Sequence, residues 1–328
     1  MNRTPLRRAS LASVAVLALG LSACGGDNED TAAASGGGEG SSDSVSGEII
    51  ADGSSTVQPL TEAAGELYKQ EQPEVDVSVG TAGTGGGFEV FCKGQTDISN
   101  ASRPIEAEEE KICAKNGVEY TELQVATDAL TVVTSADNDF ITCLTTDELA
   151  TLWGPDAEGK ITTWDQVNPE FPAEPIELYG PGTDSGTFDY FTDEINGEEG
   201  ASRSDYNASE DDNVIVQGVG GSEYALGYFG FSYYEENADT LKAVEIDSGD
   251  GCVAPSAESA QDGTYTPLAR PLFIYPSNSA VEDKPQVSAF IDFYAQNDDS
   301  IAETAEFIPL NEEQQSTLAD AASKLTGS

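Results

Sequence analysis

Apolar positions along the chain fall into two recurring patterns, a short strand-like run followed by a helical stripe. "GEIIADG", residues 47–53, is an apolar run that ends in Ser54, Ser55 and Thr56. Val57, Leu60, Ala64 and Leu67 then recur at helical spacing, with Pro59 tolerated in the first turn, where a backbone N–H has no partner to lose. Pro73 stops that helix. "VDVSVG" alternates Val75, Val77 and Val79 as a strand, and "TAGTGGGFEVF" is a Gly/Thr loop that opens another short helix. "TDIS" is a further short strand, running into "NASRPI". "ALTVVTS", from Ala129, reads as a buried strand, and "TTDE", from Thr145, is a capping box that starts a helix carrying Leu149, Leu152 and Trp153. In the second half "PIELYG" is the strand, "PGTDSG" the loop, and Phe188, Phe191 and Ile195 the helical stripe.

Strands that alternate with helices predict an α/β fold with a mainly parallel or mixed sheet flanked by helices. In such sheets ligands sit beyond the carboxyl ends of the strands, which is where these Ser/Thr/Gly loops lie. A helix N-terminus has unpaired backbone N–H groups and partial positive charge, glycines let an anion approach, and hydroxyls add donors. One such loop is by default only a helix cap; several that converge would hold an oxyanion. "GTAGTGGG" is not a nucleotide phosphate loop, because no Lys-Ser/Thr follows its glycines.

The N-terminal residues read as a secretory signal, with Arg3, Arg7 and Arg8 preceding an apolar run, residues 11–21, too short to span a bilayer. "LSAC" looks like a bacterial lipobox, which implies cleavage of residues 1–23 and a lipid on the Cys24 sulfur. Residues 24–46 are then a lipidated flexible tether, too poor in apolar side chains to build a core. The remaining body is long enough for two lobes.

Sixty acidic and 14 basic residues give a formal net charge of −46, which disfavours nucleic acid and anionic lipid as partners. The chain has no histidine, so Ser-His-Asp and Cys-His catalysis and HExxH zinc sites are excluded. "DNDF", "SEDDN" and "DSGDG" lack the ligand spacing of a calcium loop and read as solvated surface, so no metal or other cofactor is expected. Besides Cys24 there are four cysteines, and export makes disulfides the default. Three pairings are open; Cys92 with Cys113, and Cys143 with Cys252, is the favoured one. Trp153, Trp164 and the aromatic run "LGYFGFSYY" read as core or hinge packing.

"DGSSTVQPL", "GTAGTGGGFEVFCKGQTDISNASRPI", "GPGTDSGTFDYF", "NVIVQGVGGSEYALGYFGF" and "ARPLFIYPSN" occur in the order found in the phosphate-binding lipoprotein of phosphate ABC transporters, and nearly the whole body resembles that family. The resemblance implies a two-lobed, type II periplasmic binding protein fold with two hinge crossings. It divides the body into residues 47–127 with 262–328 as one lobe and 128–261 as the other. It also implies a protein that is not an enzyme, exported and lipid-anchored to the outer face of the cytoplasmic membrane, monomeric, delivering inorganic phosphate to permease subunits and their ATPase. A binding protein for sulfate, arsenate or molybdate, or an exported phosphatase, is the alternative.

Carried over by position, the resemblance puts phosphate contacts on Ser55, on Thr56 with the Val57 amide, on Thr84, on Ser102 and Arg103 of the "NASR" turn, and on Ser185, Gly186 and Thr187. The enterobacterial form has an aspartate where Ser102 stands and an arginine where Pro181 stands. Arg103 then becomes the expected cation, with Arg203 as second choice, and Asp184 the acceptor of the phosphate proton. The structural alternatives are an ion pair for Arg103 and a helix cap for Asp184.

Overall fold

The computed structural model describes residues 44–183 and 185–328, so the leader, Cys24, most of the tether and Asp184 lie outside the described residues. The chain runs β1 (Gly47–Gly53), α1 (Gln58–Glu71), β2 (Val75–Val79), α2 (Thr84–Phe91), β3 (Ile98–Ala101), α3 (Ala107–Asn116) and the long β4 (Leu123–Ser135). It continues through β5 (Cys143–Thr145), α4 (Thr146–Trp153), β6 (Glu177–Gly180), α5 (Gly186–Asn196), β7 (Asn207–Ala208), α6 (Asp212–Gly220) and β8 (Ala225–Gly230). Then follow α7 (Phe231–Glu236), β9 (Leu241–Ala243), β10 (Glu245–Asp247), β11 (Cys252–Val253), α8 (Ala257–Gln261) and β12 (Ala269–Pro276). The helices α9 (Asn278–Asp283), α10 (Pro285–Gln296), α11 (Asp298–Thr304) and α12 (Glu312–Thr326) complete the fold.

The sequence patterns form the elements they predict. The Thr145 hydroxyl accepts from the Glu148 N–H (3.1 Å) and the Glu148 carboxylate accepts from the Thr145 N–H (2.8 Å), closing the capping box of α4. Phe188, Phe191 and Ile195 form the buried stripe of α5. Val45, expected in the tether, packs on the core and donates its N–H to Gln72 Oε1 (3.1 Å). Both favoured disulfides, Cys92–Cys113 and Cys143–Cys252, are formed.

Among the described residues one sheet has the order β2-β1-β3-β12-β4-β8-β6-β7, with β9 also on β4, and a small sheet has the order β11-β10-β5. Pairing is parallel at β1–β2, β1–β3, β6–β8 and β6–β7. It is antiparallel where β12 meets β3 and β4, and where β4 meets β8. The sheet is therefore mixed, and its centre is not parallel as the repeated strand–helix pattern alone suggests. The reason is β4, which begins six residues before the strand read at Ala129 and serves two partners. Its first half pairs with β12 up to Ala129↔Ala269, and its second half pairs with β8 from Leu130↔Gly230.

Apolar side chains gather accordingly on either side of this crossing. One core holds Ile49, Leu60, Ile98, Val125, Ile274 and Phe290. A second holds Leu130, Leu149, Trp153, Trp164, Phe191 and Tyr228, and smaller clusters form around Phe88, Phe229 and Phe231. Phe191 and Tyr228 stack with centroids 3.9 Å apart, and Trp153 meets Tyr228 edge-on at 4.9 Å, so these aromatics are packing groups. No helix among the described residues is long and apolar enough to cross a membrane.

Candidate functional site

Three of the predicted loops are tied together by backbone hydrogen bonds at the carboxyl ends of β1, β2 and β3. Ser54 N–H donates to the Asn100 carbonyl (3.0 Å), and Gly83 N–H donates to the Gly53 carbonyl (2.9 Å). Asp52 Oδ1 accepts from the N–H groups of Gly53 (2.8 Å) and Ala82 (2.9 Å). Thr84 Oγ1 accepts from Ser102 N–H (3.2 Å) and lies 3.1 Å from Ser102 Oγ. Glycine makes this closeness attainable at Gly87, where an added methyl group would lie 2.5 Å from the Gly53 Cα. Neither α1 nor α2 has a side-chain cap; in α1 the Gln58 N–H donates to the Ser54 carbonyl (3.1 Å) and Pro59 has no N–H.

The fourth loop arrives from the other core. A methyl group added at Gly186 would sit 3.1 Å from Thr56 Oγ1, so α5 begins against the loop that opens α1. The N-termini of α1, α2 and α5 thus converge on one cavity of about 570 Å³. Like partial charges gathered this way favour an anion between them.

Ser55, Thr56, Thr84, Ser102, Arg103 and Gly186 all line this cavity. Val57 is buried behind it at the start of α1. Ser185 is the N-cap of α5, its hydroxyl accepting from Thr187 N–H (3.2 Å). Neither Ser185 nor Thr187 lines this cavity. Successive helical residues point about 100° apart, and Thr187 lines a separate cavity of about 180 Å³ with Asp128, Gly230 and Ile308.

The expected cations are placed differently from one another. Arg103 reaches the cavity, but its guanidinium is held in a fork by Glu109 (Nη1–Oε2 and Nη2–Oε1, both 2.9 Å), with Glu106 at 3.3 Å. That is the ion-pair alternative, and Glu109 with burial opposing it raises the Arg103 pKa. Arg203 is a correction: it is buried, forks onto Asp205 and donates to the carbonyls of Leu152 and Ile161. It ties interior segments together. Pro181 is buried too, and its carbonyl accepts from Tyr206 O–H (2.7 Å).

Arg270 was missed by the sequence reading. It sits at the start of β12, lines the cavity and donates through Nη2 to Thr56 Oγ1 (2.9 Å). Its Nε donates to Asp128 Oδ2 (3.2 Å), and its guanidinium carbon lies 3.6 Å from the centre of the Tyr190 ring. The available signal was a lone arginine heading an apolar strand, "ARPLFIY". Asp189, Asp193, Glu194 and Glu199 form an acidic wall on the α5 side of the same cavity. Burial first and Glu199 second push the Asp189 carboxyl above its usual range, against the pull of Arg270. Burial and Asp193 do the same to Glu194.

The smaller cavity beside Thr187 is lined by Asp128, Asp212 and Glu306 as well. Burial, then Glu306, Asp211 and Glu210, push Asp212 up from the usual 3.8 to about 6. A carboxyl with a higher pKa when folded is harmless below its unfolded pKa and destabilises progressively as pH rises through the folded value. Asp212→Asn is therefore expected to melt higher than the parent at pH 7.5, with the gain narrowing as pH falls from 6 towards 4. An equal gain at every pH in a melting series would show that the titration of Asp212 is not the cause.

The sequence matches the PBP superfamily domain over residues 38–298. It is 47% identical to Protein SphX of Synechocystis sp., over 92% of this chain and 84% of that one. It is 41% identical to the phosphate-binding protein PstS of Staphylococcus saprophyticus, over 88% of this chain and 89% of that one. A crystal structure described as a possible phosphate binding protein from Planctomyces limnophilus superposes with a TM-score of 0.81 at 42% identity, covering 86% of this chain and 99% of that one. The mixed α/β architecture is that of a type II, two-lobed binding protein fold. With its converging helix N-termini and its extended match to PstS, the chain belongs to the PstS family of phosphate-binding proteins.

Proposed function

We propose that this protein captures inorganic phosphate in the 570 Å³ cavity and delivers it to an ABC importer. The observation that carries the reading is the meeting of three helix N-termini, from both lobes, around Thr56, Thr84 and Gly186. Backbone N–H groups and hydroxyls would surround the anion, and lobe closure would exclude water and strengthen each bond. No bond is made or broken; the protein is a binding protein, not an enzyme.

The contacts in this reading are Ser55, Thr56, the Val57 amide, Thr84, Ser102, Gly186 and the backbone at Ser185 and Thr187. Asp184 is the proposed acceptor of the phosphate proton. Asp189, which faces the cavity with its pKa already raised, is the alternative acceptor. The lobes are proposed as residues 47–127 with the C-terminal segment, and 128 onward. Tyr265 and Leu268 pack in the second core, which favours a return at Ala269 over one at residue 262. Export, lipid attachment through Cys24, residence at the outer face of the cytoplasmic membrane and a monomeric state complete the proposal.

Calorimetric titration of the full chain with phosphate and with sulfate tests it. One-to-one phosphate binding without a sulfate signal is expected. Equal binding of both anions would favour a general oxyanion binder, and binding of neither would reject the reading.

A further inference from the structure

We propose that Arg270 is the cation that binds the captured anion, held for that task by Asp128 and the Tyr190 ring. The inference rests on the phosphate reading above and names the residue that supplies its positive charge.

Among the described residues two arginines line the cavity, and their surroundings differ. Arg103 already faces two carboxylates, one of them in a bidentate fork that uses both terminal nitrogens. It carries no surplus charge toward the cavity. Arg270 is ion-paired with one carboxylate, Asp128, through Nε, which leaves its terminal nitrogens to other partners, and the charges of Asp189 and Glu194 reach it across the cavity. One of these nitrogens donates to Thr56 Oγ1, the hydroxyl nearest to the start of α5. The guanidinium edge therefore lies where the partial positive ends of α1 and α5 meet. Placing a full positive charge there gains little from the loops themselves and is favourable with an anion between them.

The support behind Arg270 is built for orientation. Asp128 is buried, on the strand paired with Arg270, at the register Arg270↔Asp128. The Tyr190 ring, from α5, lies under the guanidinium carbon, 3.6 Å from its centroid, and its own hydroxyl is anchored on the Pro267 carbonyl (2.6 Å). A planar cation held at its Nε edge and on one face presents its remaining fork to an oxyanion. The side chain is 18% exposed, so the charge acts in partly desolvated surroundings, where it is worth more than at the surface. Arg270 also touches both lobes, Thr56 on one side and Tyr190 on the other, and Pro181 does not reach the cavity lining.

The test titrates inorganic phosphate into the full chain and into two variants. Arg270→Met with Asp128→Asn removes both charges of the pair together, so no buried carboxylate is left alone. Its phosphate affinity is expected to fall about 10-fold to 100-fold, the range for hydrogen bonds to a charged group. Arg270→Lys keeps the charge and loses the fork, and is expected to fall in between. A double variant that melts cooperatively and binds within about threefold of the parent, below the expected range, overturns the assignment. Should the double variant not fold, the lysine variant decides, and parent-like affinity overturns the assignment. A parent that binds no phosphate overturns the functional reading itself, which separates the two failures.

Discussion

Replacing Gly53 by alanine is expected to cost about 3 kcal/mol or more in stability and to abolish tight phosphate capture, because two penalties fall on one methyl group. The residue has φ +139°, a conformation that side-chain-bearing residues rarely adopt. The new Cβ would also lie 2.1 Å from the Asn100 carbonyl oxygen, a backbone atom with no rotamer to move. Backbone strain of this kind costs about 1–3 kcal/mol, and overpacking a tight contact about 1–3 kcal/mol more. Against a typical total of roughly 5–15 kcal/mol the fold survives weakened. The relief route is separation of β1 from β3, which breaks the Ser54–Asn100 hydrogen bond and moves the Ser55–Thr56 hydroxyls away from Ser102. Gly94→Ala supplies the control, since Gly94 has φ +70° and nothing within 4 Å of an added methyl. Denaturant unfolding of both variants should show the larger loss at Gly53. Equal losses would mean that backbone strain alone, and not the contact with Asn100, limits the site.

Loss of the Cys143–Cys252 disulfide is expected to cost about 5 kcal/mol, because the bond closes a loop of 109 residues in the unfolded chain. Cys92–Cys113, with a separation of 21, is expected to contribute about 3 kcal/mol by the same loop-entropy argument. The longer bridge joins β5 to β11 across β10 in the small sheet, away from the cavity. Cys143→Ser with Cys252→Ser should therefore lower the denaturant midpoint and leave phosphate affinity unchanged well below the melting temperature. A midpoint that does not move, or a greater loss at the shorter bridge, would reject the loop-length account for this protein.

The local part of this structure is legible in the order of residues. Valines at alternate positions place β2, Leu60 and Ala64 at helical spacing place α1, and the Thr145–Glu148 pair places the start of α4. Each signal spans one element, so the chain carries it without knowledge of what packs nearby. The same holds for the Ser/Thr/Gly loops: six residues expected at the anion site meet in one cavity. Strand residues 123–128 were not read, because "LQVATD" has no clear alternation of its own and becomes a strand by pairing with β12.

Charge partners are where tertiary structure decides. Arg103, Arg203 and Arg270 are chemically alike in sequence, yet only contact separates them: one lines the cavity forked onto Glu109, one is sealed in the interior, and one lines the cavity paired through Nε with Asp128. Arg270 lies 142 positions from Asp128 and 214 from Thr56, so no local pattern could pair them. The direction of Thr187 and the acidic wall of α5 depend likewise on where the helix docks. By itself the sequence determined the strand–loop–helix units, the Ser/Thr/Gly make-up of the loops and the exclusion of histidine chemistry, because these follow from residue type and short spacing. The fold alone decided the antiparallel β4/β12 centre and which carboxylate each arginine pairs with, because contacts between residues far apart in the chain are settled by collective packing.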